Sequence, residues 1–177
     1  AEAIRSQGAK AVMQIVHPGR SSGRPGAFAP SAVPAFGNEQ LVPQEMDEQD
    51  MMEVAVAFAE AADTVRRAGF DGVELHGATG YLLSSFTSPR TNLRRDMYGG
   101  SLENRMRFPL EVCRTVREVV GDFPVGYCLM AREYLPEGLS LEEGVIFAQA
   151  ITHELEPAYL SVTAGTHECF ASFSQEE

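Results

Sequence analysis

The chain has 177 residues, room for one ordinary domain, and its 44% apolar and 22% charged composition is that of a globular protein rather than a disordered one. Its formal net charge of −11, from 25 acidic against 14 basic residues, repels phosphate backbones and anionic lipid, so nucleic acid and membrane surfaces are not expected partners. No apolar run approaches the ~20 residues of a membrane-spanning helix. The cysteines Cys113, Cys128 and Cys169 are too scattered for a disulfide framework or a metal site, so a reduced, cytoplasmic setting with no bound metal is expected.

In chain order, Ala1 to Ser6 reads as helix, and a sequence opening inside a helix without an initiator Met is expected to lack something upstream. Ala11 to Val16 is a short apolar run behind Gly8 and predicts a buried strand. A long loop rich in Pro, Gly and Ser follows, from His17 to Met46. Asp47 then caps a helix whose apolar residues Met51, Val54, Phe58, Ala62 and Val65 recur at spacings of three and four, and Gly69 ends it.

Phe70 to His76 predicts the second strand. Alternation puts Val73 and Leu75 on one face and Gly72, Glu74 and His76 on the other. A second long loop, Gly77 to Gly100, leads to a helix capped by Ser101 and closed by Gly121, with Pro109 inside it expected to kink it. Pro124 to Met130 predicts a third strand. Ser140 and Glu143 form a capping box for a helix expected to bury Val145, Ala148, Ile151 and Leu155. Ala158 to Thr163 predicts a fourth strand.

Connections from helix to strand are short, around Gly69, Gly121 and Pro157, whereas two connections from strand to helix are long. Parallel barrels carry their chemistry on loops at the carboxyl ends of the strands, and doubly wound sheets do the same. No Gly-x-Gly-x-x-Gly follows any strand, and Gly77-Ala78-Thr79-Gly80 is too loose a substitute. The fold expected is α/β, a single partial domain over residues 1–177 supplying about strands three to six of a parallel (β/α)8 TIM barrel.

Polar residues at strand ends are the unusual feature. Gln14, inside an apolar strand, is either a core amide satisfied by backbone or an amide reading the edge of a planar ligand. His76 ends the second strand facing the barrel axis, with Thr79 and Tyr81 close behind. Three polar groups converging at one strand end point to a site. A phenol with a pKa of ~10 stays protonated at neutral pH and can donate, so Tyr81 is a candidate proton donor; His76 and Thr79 are candidates to bind a substrate oxygen.

His17-Pro18-Gly19-Arg20 after a strand holding Gln14, then Gly69-Phe70-Asp71-Gly72-Val73-Glu74-Leu75-His76-Gly77-Ala78-Thr79-Gly80-Tyr81-Leu82, resemble the old yellow enzyme family. So does the stretch from Ser88-Pro89 through Asn92, Arg95-Asp96, Tyr98-Gly99-Gly100-Ser101 and Glu103-Asn104-Arg105 to Arg107-Phe108, which is highly specific to it. Ser161 to Thr166 is similar to the family's sixth-strand segment. The resemblance implies FMN held at the carboxyl face of an eight-stranded barrel, reduced by NADH or NADPH, which then passes a hydride to the β-carbon of an activated alkene. It implies that Gln14 contacts the flavin pyrimidine edge, Tyr81 delivers the proton to the α-carbon, and His76 anchors the activating oxygen with Thr79.

The sequence departs from the family at three points. Thr79 stands where His or Asn is usual, and in some relatives Glu. Cys128 stands where an arginine supports the reduced flavin, and Arg132, about 13 Å further along an extended strand, is too far to replace it. Cys128 reads as a small buried hydrophobe. Strands one, two, seven and eight are not expected in this chain, and the last two carry the family's phosphate grip; Arg90, Arg94 and Arg95 read instead as solvated or structurally paired. Three readings follow: an FMN-dependent ene-reductase; a flavin-free structural or binding remnant of the same fold; and a flavin-free lyase or isomerase using His76 and Glu74. Open strand edges further predict an oligomer or a complementing barrel half.

Overall fold

A computed structural model describes residues 1–173, with side-chain placement to residue 170. The elements are α1 (Glu2–Arg5), β1 (Val12–Ile15), a 3-10 turn (Gly19–Ser22), β2 (Phe28–Ala29), β3 (Gln44–Glu45), α2 (Glu48–Arg67), β4 (Gly72–Gly77), α3 (Leu82–Thr87), α4 (Leu102–Val120), β5 (Val125–Met130), α5 (Leu141–Leu155), β6 (Tyr159–Thr163) and α6 (His167–Phe173). Strands β1, β4, β5 and β6 form one parallel sheet in that order, and β2 pairs with β3 as a short separate ribbon. The four predicted strands and the three long predicted helices are all present. The ribbon and α3 lie in stretches that read as loop, and α6 follows the last predicted strand.

The helix starts follow their capping residues. Asp47 and Ser140 each make a reciprocal capping box, with Asp50 and Glu143 respectively, and the Ser101 hydroxyl accepts from the Asn104 N–H. Glu143 does double duty, because its carboxylate also pairs at 2.5 Å with Arg105, a buried side chain on α4. Arg105 also donates to the carbonyls of Thr87 and Gly100, so the end of α3 and the starts of α4 and α5 are tied through one guanidinium.

The core lies on one face of the sheet. Val73 and Leu75 of β4 and Val125, Tyr127 and Leu129 of β5 point outward and are covered by α2, α4 and α5. Fully buried side chains of this kind contribute ~1.5–3 kcal/mol each. Helix α4 does not break at Pro109: the buried neighbours Phe108, Val112, Cys113 and Val116 hold it against α2 although the Arg105 carbonyl loses its usual donor.

The apolar stripe expected on α5 is corrected at its amino-terminal half. Phe147 is buried, whereas Val145 is half exposed. The cause is Gly144, where a Cβ would come within 2.1 Å of the Ala131 carbonyl. That close approach of helix to backbone fixes the rotation of α5 and turns Phe147 inward.

Both long strand-to-helix loops are anchored to each other. Arg94 donates to the carbonyls of Pro30 (3.1 Å) and Met46 (2.6 Å) and pairs with Asp96, while the Leu93 N–H reaches the Ser31 hydroxyl. Arg90 pairs with Glu168 at 2.7 Å, and Arg95 is exposed. Arg90 and Arg94 are thus structurally paired.

Candidate active site

The inner face of the sheet, opposite the core, carries polar residues in register. One layer is formed by Gln14, Glu74, Gly126 and Tyr159, partners across β1, β4, β5 and β6. The next layer toward the carboxyl ends is His76, Cys128 and Ser161. Such layering of alternate residues is what a parallel barrel interior presents.

In the first layer Nε2 of Gln14 donates to Oε1 of Glu74 at 2.5 Å. The Tyr159 ring lies over Gly126, where a Cβ would meet it at 2.4 Å. Its phenol is pushed up to about 12, by burial first and then by the Glu74 carboxylate beside it. In the second layer Cys128 is buried, and burial followed by the Glu74 charge raises its thiol, against a hydrogen bond from Ser161. A protonated thiol supplies no charge here, and the expected small buried residue is what is found.

His76, Thr79 and Tyr81 do converge at the end of β4. His76 Nε2 lies 3.0 Å from the Thr79 hydroxyl, and the His76 and Tyr81 rings are 5.2 Å apart. Burial lowers the His76 pKa, opposed by Glu74 and aided by His167, so the imidazole is neutral at pH 7. Its Nδ1 is buried and has no hydrogen-bond partner among the described residues. Thr79 has φ of +57°, unusual for a β-branched residue, and it bridges Thr166 in parallel fashion.

That bridge brings in a residue the sequence reading passed over. His167 follows Thr166 at the end of β6, and its Nε2 lies 3.4 Å from the Tyr81 hydroxyl, with the rings 5.6 Å apart and edge-on. The signal that marked Thr79 and Tyr81, polar residues in the few positions after a strand, also fits His167, four residues past β6. A cavity of about 220 Å³ adjoins this cluster, walled by Thr79, Thr166, His167, Arg20 and Phe36. A larger hollow of about 640 Å³ near Ala1 and Asp71 lies at the opposite, amino-terminal ends of the strands and holds none of these groups.

The inner face fits a flavin at its pyrimidine edge. The Gln14 carbonyl oxygen accepts from no protein donor among the described residues, and such an acceptor suits an imide N–H. Neither layer carries a cation among the described residues, and Arg132 stacks instead on Tyr134, 4.9 Å from its ring centre. Among the described residues no group of His, Cys, Asp and Glu is arranged to hold a metal ion, and no helix is long and apolar enough to cross a membrane.

The model of the NADH:flavin oxidoreductase / NADH oxidase family matches residues 1–167. An NADH oxidase from Thermoanaerobacter brockii is 46% identical over 176 residues, covering 95% of this chain and 26% of that protein. An NADPH dehydrogenase from Geobacillus sp. (strain WCH70) is 42% identical over 155 residues, covering 87% of this chain and 45% of that protein. Among solved structures, a 2-naphthoyl-CoA reductase in complex with 2-naphthoyl-CoA superposes with a TM-score of 0.88 at 31% identity, over 94% of this chain and 28% of that one. Morphinone reductase superposes with a TM-score of 0.76 at 33% identity, over 90% of this chain and 48% of that one. The chain therefore spans about a quarter to a half of the length of these relatives. The parallel sheet and its helices are the corresponding part of a TIM barrel.

Proposed function

The chain belongs to the NADH:flavin oxidoreductase / NADH oxidase family, and from that premise we propose that the protein is an NAD(P)H-dependent FMN oxidoreductase that reduces an activated alkene. The observation that carries the reading is the convergence of a neutral His76, Thr79 and Tyr81 at one strand end, above a layer whose Gln14 presents an acceptor. Bound FMN would supply the hydride transfer from NADH or NADPH to the β-carbon of an alkene conjugated to a carbonyl.

The chain's own residues account for the other requirements. Gln14 holds the pyrimidine edge of the flavin through its carbonyl oxygen. His76 and Thr79 hold the substrate's activating oxygen: they are hydrogen-bonded to each other, so each fixes the other's position. A hydrogen bond to that oxygen stabilises the charge that develops on it. Tyr81 delivers its phenolic proton to the α-carbon, and His167, beside the hydroxyl, holds it in place.

Strands β1 and β6 each pair on one side only among the described residues, and Val12, Met13 and Val16 near one edge and Val162 near the other are exposed. In this reading the remaining strands of a closed barrel cover them. Without that cover the chain associates with itself, which sedimentation reads as species above 19.3 kDa. The flavin reading itself is tested by anaerobic visible spectroscopy: the purified protein shows oxidised flavin bands that bleach with NADH or NADPH and return on adding an enone. A colourless protein that takes up no FMN favours the flavin-free reading instead.

A further inference from the structure

Gln14 and Glu74 are register partners on adjacent strands, joined by the hydrogen bond from Nε2 of Gln14. A carboxylate only accepts, so it engages the NH2 end of the amide and leaves the carbonyl end turned away. Glu74 is 8% exposed and its carboxylate can only accept, so it sets which end of the amide faces it. Glu74 is itself confined, since Tyr159 lies across Gly126 and brings its phenol beside the carboxylate from the far side.

We propose that Glu74 is a positioning residue for Gln14: by claiming the amide NH2 it presents the Gln14 carbonyl oxygen as a fixed acceptor, so that this layer selects a ligand edge bearing an N–H. The proposal rests on the flavin reading for the identity of that edge, the imide N–H of the isoalloxazine. A free glutamine turns its amide either way and discriminates poorly between donors and acceptors. One locked by a carboxylate offers a single face, and an edge bearing only acceptors meets a lone pair.

The test combines a double-mutant cycle with side-chain amide NMR, both on the full-length protein. FMN affinity is read by fluorescence quenching for the wild type, Glu74→Gln, Gln14→Leu and the double variant. Glu74→Gln is expected to weaken FMN roughly tenfold when Gln14 is present and to have no further effect in the Gln14→Leu background. Costs that simply add across the cycle overturn the proposal, because a structural Glu74 acts regardless of residue 14. In the ligand-free protein the Gln14 side-chain N–H resonance is expected to move upfield in Glu74→Gln. If the wild type takes up no FMN, the flavin reading fails separately and the NMR arm still decides: a shifted resonance supports the lock and an unchanged one refutes it. If Glu74→Gln does not fold, Glu74→Asp, which draws the carboxylate back by one methylene, takes its place, and an unchanged Gln14 amide signal in that variant refutes the proposal.

Discussion

His76 and Cys128 are register partners on neighbouring strands, so an imidazole and a thiol stand side by side on the inner face with the Glu74 carboxylate one layer below. Glu74 acts on both, opposing the lowering of His76 and adding to the rise of Cys128. The charge closest to this face is therefore negative, where a flavin gaining electrons gains negative charge as well.

Cys128→Arg is expected to reverse that balance. A guanidinium in the second layer neutralises Glu74 and stabilises the reduced cofactor, with a charge-assisted hydrogen bond worth about 1.5–3 kcal/mol. FMN retention should tighten and the titrated midpoint potential should rise. A potential that stays put or falls means that position 128 does not act on the flavin.

Stability should depend on pH through two half-buried imidazoles. Burial lowers both His17 and His76 from the ordinary value of 6.5. Between that value and the lowered one the unfolded chain binds more protons than the folded chain. Their contribution is complete above pH 6.5 and is lost as pH falls through this window. The carboxyls of Asp63, Asp71 and Asp96, held down chiefly by Arg66, the Ala11 N–H and Arg94 respectively, add their losses only at about pH 4 and below. Urea midpoints measured from about pH 7.5 to about pH 5 should fall, and His76→Asn should make the fall shallower. An unchanged slope in that variant removes His76 from the effect.

Tyr127→Phe should stabilise the fold. The Tyr127 side chain is fully buried, packs edge-on against Phe147 at 6.0 Å, and its hydroxyl has no partner among the described residues. An unpaired buried hydroxyl carries a desolvation penalty of about 1–3 kcal/mol, and phenylalanine keeps the ring packing without it. The urea midpoint should rise; a fall shows that the hydroxyl is satisfied.

Much of this architecture is legible in the sequence because it rests on local signals. The helix cap at Asp47, the capping box at Ser140, the alternation in Val73, Glu74, Leu75 and His76, and the three-and-four spacing in α2 each appear where they were read. Val145 misleads because the rotation of α5 is set by Gly144 against Ala131, a contact invisible in the helix's own periodicity. The meeting of Tyr81 with His167 spans 86 positions and depends on the Thr79–Thr166 bridge, so spacing cannot reveal it. The residues that carry the family resemblance are largely structural. Asn92 donates to the Phe86 and Tyr98 carbonyls, Arg20 to the Pro34 carbonyl, and Arg105 ties three elements together. These contacts build the loops on which the site sits.

Tyr81 bears the most specific assignment, a proton given in one half-reaction and in no other. Stopped-flow spectroscopy of Tyr81→Phe, following flavin bleaching by NAD(P)H and flavin return on alkene addition separately, tests it directly. The account predicts bleaching near the wild-type rate and alkene reduction slowed ~10²–10⁴-fold, the usual loss for a general acid. Equal slowing of both phases, or of neither, would contradict it.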